Sequence, residues 1–142
     1  MKKPAIILAL FATTILCSLC TMAPSEKKDA NHNYMWFDCE ANYSTLSHPD
    51  SIRFYLQKTK DLGFDNVVVD MKSIMGEVLY DSKIAPYMGD WEGVERSRDY
   101  DMLGYFIDYG HKMGLKVFGS LNVFAGGHNY FDRGIIYGDK AH

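Results

Sequence analysis

The chain has 142 residues, 47% hydrophobic and 23% charged, an ordinary globular balance. Its 15 Lys and Arg against 18 Asp and Glu give a net charge of −3. That excludes the basic excess of a nucleic-acid binder and the high net charge of a disordered chain. The 8 Phe, 2 Trp and 10 Tyr are a large supply of flat surface for a core or a ligand.

The first segment reads as a leader. Lys2 and Lys3 precede Ala5 to Leu16, an apolar run broken only by Thr13 and Thr14. A basic start followed by a short apolar stretch predicts a signal peptide over residues 1–20, too short to span a membrane. Thr21-Met22-Ala23 offers a small residue for cleavage, but Pro24 follows it and hinders the peptidase. Cys20 offers a second reading, a lipoprotein leader cleaved before an acylated cysteine, which would give an outer-membrane lipid anchor. Cys17-Ser18-Leu19 departs from the usual box before that cysteine. Both readings place the chain in the exported class, in the periplasm or at the outer membrane and cell surface. Residues 21–33 are mostly polar and read as a tether. After the leader only Cys39 is left, so no internal disulfide, zinc ribbon or CxxC redox pair is possible.

The body, residues 34–142, alternates strands and helices. Tyr34-Met35-Trp36-Phe37-Asp38-Cys39 is a short aromatic run that predicts a first strand. Ser47 or His48 at the N-cap, Pro49 at the first helical position and Asp50 in the first turn mark a helix start. Ile52, Tyr55, Leu56, Thr59 and Leu62 form its apolar stripe, Lys58 and Lys60 suit its C-terminal dipole, and Gly63 supplies the left-handed stop. Val67-Val68-Val69-Asp70 predicts a second strand covered on both faces, as in a parallel sheet.

Ser73 to Tyr100 has no sustained period, and its length points to a functional loop. A second helix follows from about Asp101 to Met113, with Met102, Leu103, Phe106, Ile107 and Gly110 as its inner stripe and Gly114 as its stop. Leu115 to Leu121 predicts a third strand. Leu62-Gly63-Phe64 and Met113-Gly114-Leu115 repeat one pattern, a helix stop leading straight into a strand. The fold class is therefore α/β, with three parallel strands and two helices in βα order.

Parallel α/β folds bind ligands at the carboxyl ends of their strands. Those ends gather Asp38, Glu40, Asn42, Asp70, Lys72, Asn122 and His128. Carboxylates and amides there suit hydroxyl-rich ligands, and Trp36, Tyr43, Tyr80, Tyr87, Trp91, Phe124 and Tyr130 are candidate platforms for sugar rings. Blander roles compete. Asp70 and Lys72, two apart on a strand, can form a structural ion pair. Asp38 and Asn122 can cap loop amides. His128 can be merely exposed, and its spacing to Asp132 does not define a metal site. No cofactor or metal is expected: the turn Glu40-Ala41-Asn42-Tyr43-Ser44 lacks the glycines of nucleotide-binding loops, and no HExxH or G-x-S-x-G occurs.

Four stretches together resemble the N-terminal part of glycosyl-hydrolase-like family 10. They are Trp36 to Asn42, Val68-Val69-Asp70-Met71-Lys72, Gly76 to Ser82, and Ser120 to Asn129. The resemblance covers roughly Tyr34 to Gly134. It implies an exported glycosidase with a (β/α)8 TIM-type barrel, of which this chain is the first three parallel strands and two helices. It implies carbohydrate-binding roles for Asp70, Lys72, Asn122 and His128, beside which Asp38 and Glu40 stand by position. The catalytic carboxylates are expected on later strands, beyond residue 142, which leaves this fragment inactive alone. Such a barrel needs about 200–250 residues. The competing reading is a complete small α/β module that binds a glycan or peptide without catalysis, with the first strand central and one helix on each face.

Overall fold

The computed structural model describes residues 32–138. The leader, Cys20 and all but the last two residues of the tether lie outside them. The elements are β1 (Tyr34–Phe37), a 3-10 turn (Thr45–Ser47), α1 (Pro49–Asp61), β2 (Asn66–Lys72), β3 (Asp90–Trp91), β4 (Val94–Glu95), α2 (Met102–Lys112), β5 (Lys116–Leu121) and α3 (Ile135–Gly138). The chain is mixed α/β. β1, β2 and β5 form a parallel sheet in that order, with β2 in the middle, and β3 pairs with β4 in a separate antiparallel ribbon. The strands therefore lie side by side in sequence order, and the first strand is an edge rather than the centre.

The helices begin and end where their punctuation dictates. His48 stands at the N-cap of α1 in extended conformation, Pro49 follows at the first position, and Gly63 leaves the helix at φ +85°. Asp101 caps α2 by accepting a hydrogen bond from Gly104 N at 2.8 Å. Both apolar stripes are narrower than expected. Ile52, Leu56 and Thr59 are buried, but Tyr55 and Leu62 are exposed. In α2 Met102, Phe106 and Gly110 are buried, but Ile107 is exposed. α1 packs on α2 and on the 3-10 turn, and α2 packs on β2 and β5.

The core lies between these helices and one face of the sheet. Val67, Val69 and Met71 on β2 join Ile52, Leu56, Met102 and Phe106, with Phe37 edge-on to Phe106 at 5.1 Å. Burying each of these side chains contributes about 1.5–3 kcal/mol. The other face is open. There Tyr34, Trp36 and Phe118 are roughly half exposed, and Tyr34 and Phe118 stand 5.9 Å apart. Val68 is only half-buried, so β2 is not covered equally on both faces.

Other expectations need correction. β1 stops at Phe37, because Asp38 accepts a bond from Asn42 N and starts a tight turn that drops Cys39 into the core. Ser73 to Tyr100 carries short strand pairings of its own. Val78 bridges to Lys72 and to Tyr87, and the β3–β4 ribbon follows. The segment is fixed by Arg96, whose guanidinium lies 3.8 Å over the Tyr43 ring and donates to Tyr43 O and Ser47 Oγ at 3.0 and 2.9 Å. A third short helix, α3, follows the loop after β5. That loop is held by a close backbone approach. Gly134 sits at φ +133°, where a Cβ would overlap Gly127 Cα and Gly126 O.

Candidate functional site

A cleft of about 310 Å³ opens at the carboxyl ends of the parallel strands. Its lining includes Asp38, Glu40, Asp70, Lys72 and Asn122, which are five of the six residues singled out as ligand-binding. Three βα junctions bring them together. Asp38 and Glu40 belong to the turn after β1, Asp70 and Lys72 to the end of β2, and Asn122 follows β5. Trp91 and Glu92 of the ribbon and Phe131 of the final loop complete the wall.

Each carboxylate is oriented through one oxygen. Asp38 Oδ1 accepts from Ala41 N at 2.9 Å, Glu40 Oε2 from Ile74 N at 2.9 Å, and Asp70 Oδ2 from Trp36 Nε1 at 2.9 Å. Among the described residues the second oxygen of each accepts no hydrogen bond. Burial pushes the Glu40 carboxyl above its ordinary value. The Ile74 N–H opposes that rise, Asp38 adds to it, and His128 and Arg133 oppose it. Asp38 thus does cap a loop amide, and it lines the cleft as well.

Lys72 does not form the ion pair with Asp70 that their spacing allows. Its ammonium donates to Asn122 O at 2.8 Å and Val123 O at 3.1 Å, tying the end of β2 to the loop after β5. The pairing register with β5 shifts between Asp70 and Lys72. Asn122 contributes its carbonyl to this tie. His128 does not line the cleft. It is exposed, its backbone N–H donates to Arg133 O at 2.9 Å, and its ring stands 5.4 Å from that of Phe131.

The aromatic platforms are also redistributed. Tyr43 is buried with its hydroxyl donating to Met88 O, and Trp91 is buried against the edge of Phe131 at 4.8 Å. Tyr87 is half-buried and donates to Ser97 O. Trp36, Phe124 and Tyr130 do present exposed rings.

Two parts of the site had no signal in the sequence. Glu92 and Phe131 reach the cleft only through the fold of their loops. Arg133 donates to both Glu77 oxygens, at 3.0 and 2.6 Å, and to Asp90 Oδ2 at 2.9 Å. This bidentate fork links the turn after β2, the ribbon and the final loop behind the cleft. Among the described residues no three His, Cys, Asp or Glu side chains cluster as metal ligands would.

No protein-family model and no solved structure matches the chain. An S-layer-related protein from Niallia circulans is 31% identical over 99 residues, which is 66% of this chain. The chain spans 6% of the length of that curated relative.

Proposed function

We propose that the cleft binds a saccharide, and that the chain is the N-terminal part of an exported glycoside hydrolase built on a (β/α)8 barrel. The observation that carries the saccharide reading is the set of three carboxylates. Asp38, Glu40 and Asp70 are each held by one donor and line one cleft. Oriented carboxylate oxygens accept hydrogen bonds from vicinal hydroxyls without first being ordered. Exposed Trp36 stands beside Asp70 as a ring platform. The barrel reading is supported by sequential parallel strands of which one face shares a single core with both helices, an arrangement that right-handed crossovers produce. The open, aromatic opposite face is where such a barrel packs its interior. On this reading these residues bind and the hydrolytic pair is supplied by later strands.

The relative's name points to a cell-surface layer, which supports a place at the cell surface for this chain too. Anchoring would use Cys20. Palmitate labelling of the chain in its host, lost in Cys20→Ala, is the result expected of a lipoprotein. Unlabelled chain recovered in the medium or periplasm would mean plain secretion.

Calorimetric titration of the full chain with soluble oligosaccharides tests the saccharide reading. Saturable binding that falls about tenfold in Asp70→Asn is expected, from one lost charged hydrogen bond. Binding indifferent to Asp70→Asn, or no binding to any glycan, would count against it. Reducing sugar released by this chain alone would contradict the placement of the hydrolytic pair.

A further inference from the structure

Beside the main cleft lies a second hollow of about 190 Å³, between the turn after β1 and the β3–β4 ribbon. Ala41, Trp91 and Glu92 line both hollows. They therefore form a partition with a cavity on each side. Asn42, Ser44 and Thr45 give the second hollow its own polar lining.

The partition is built on an unusual turn. Trp91 pairs with Val94, so Glu92 and Gly93 are the two central residues of the hairpin. Both have positive φ, +48° and +81°, the pattern of a type I′ turn. That turn favours Asn, Asp or Gly at its first central position, because a longer side chain there is crowded by its own backbone. Glu at this position breaks the local rule. Such departures concentrate where a side chain is needed for contact. Glu92 is exposed, so burial does not account for it.

We infer, on the saccharide reading above, that the tip of the β3–β4 ribbon divides the site into two sugar subsites, and that Glu92 contacts a ligand spanning both. The ligand class is then an oligosaccharide rather than a monosaccharide. The main cleft takes one unit against Asp38, Glu40 and Asp70. The chain passes over the partition, where the Glu92 carboxylate accepts from its hydroxyls. The next unit meets the amide of Asn42 and the hydroxyls of Ser44 and Thr45.

The test uses the full chain and Glu92→Asn, which places a turn-favoured residue at the strained position. Cello-, chito- and malto-oligosaccharides, from monosaccharide to hexasaccharide, are titrated into both proteins, and both are melted. The expected result is binding by the wild-type chain that tightens about tenfold between monosaccharide and oligosaccharide, the gain of one further polar contact set. In Glu92→Asn that gain shrinks to less than about twofold, and Tm is equal or higher. Equal oligosaccharide binding by both proteins would overturn the role of Glu92 and leave the saccharide reading intact. A lower Tm in Glu92→Asn would overturn the claim that Glu92 is kept against the turn's preference. No binding of any saccharide by the wild type would overturn the saccharide reading, and the subsites with it.

Discussion

The two faces of β2 differ in what covers them. Val67, Val69 and Met71 lie under the helices and are fully buried, while Val68, Asp70 and Lys72 alternate with them and are half-buried. One strand thus supplies a core on one side and cleft-lining residues on the other. The covered side holds apolar side chains whose burial stabilises the fold. The open side keeps a carboxylate and an ammonium, which is tolerable because each has donors, carbonyls or solvent within reach. A parallel strand with a single covered face is the condition that lets polar groups sit at the end of an otherwise apolar run.

Substitutions on the two sides should therefore part company. The largest effect is expected from the covered side. Phe106→Ala removes a fully buried ring that packs edge-on to Phe37 and should cost about 3–5 kcal/mol. That is a large share of the about 5–15 kcal/mol that holds a domain together, so the urea midpoint should collapse. A midpoint close to that of the wild type would contradict the placement of the core.

Next in size is the fork behind the cleft. Arg133→Met strips Glu77 and Asp90 of their shared cation and should cost about 2 kcal/mol. Glu77→Gln in the same background should cost little more, and a double-mutant cycle reads that coupling directly. Additive losses would mean that the fork is not a unit.

A smaller, pH-dependent effect is expected from Glu40. Its folded carboxyl lies above the ordinary value of 4.5, so the folded state holds the proton more tightly than the unfolded chain does. Its contribution is fully present below the unfolded value. It is lost as pH rises through the raised one. Tm should carry this decline upward from about pH 4.5, and Glu40→Gln should flatten it. Identical Tm profiles for the two proteins would contradict the burial of this group.

The smallest stability effect belongs to the open face. Trp36→Phe should change stability by no more than about 0.5 kcal/mol, since the residue is 58% exposed. It should nevertheless weaken ligand binding, because Asp70 loses the donor that orients it. A large loss of stability with unchanged binding would invert the assignment of the two faces.

The βα order was legible because each element has local punctuation. Pro49, Gly63, Asp101 and Gly114 mark helix ends, and the valine run marks the central strand. That Asp38, Glu40, Asp70, Lys72 and Asn122 share one cleft was legible for a topological reason, since strand ends in a parallel sheet converge whatever their loops do. Contacts set by loops were not legible. Lys72 turns to two carbonyls 50 and 51 positions away instead of to Asp70, and no periodicity encodes that. Arg133 and Glu77, 56 positions apart, meet only because Gly134 lets the final loop lie against the turn after β2. His128 misses the cleft for the same reason: the loop folds on its own backbone and leaves the ring at the rim. The short ribbon inside the long segment has strands of two residues, below the length at which alternation can be read.

The central claim is that the open carboxyl-end cleft, and not the helix-covered face, is where ligand binds. Three N–H groups report on its carboxylates: Trp36 Nε1, Ala41 N and Ile74 N. A nitrogen–proton correlation spectrum recorded while oligosaccharide is titrated into the full chain follows all three at once. The account predicts saturable shifts at these resonances, with the amides of Ile52, Leu56 and Phe106 unmoved. Saturating glycan that leaves the three unmoved, or that shifts the helix amides instead, would contradict it.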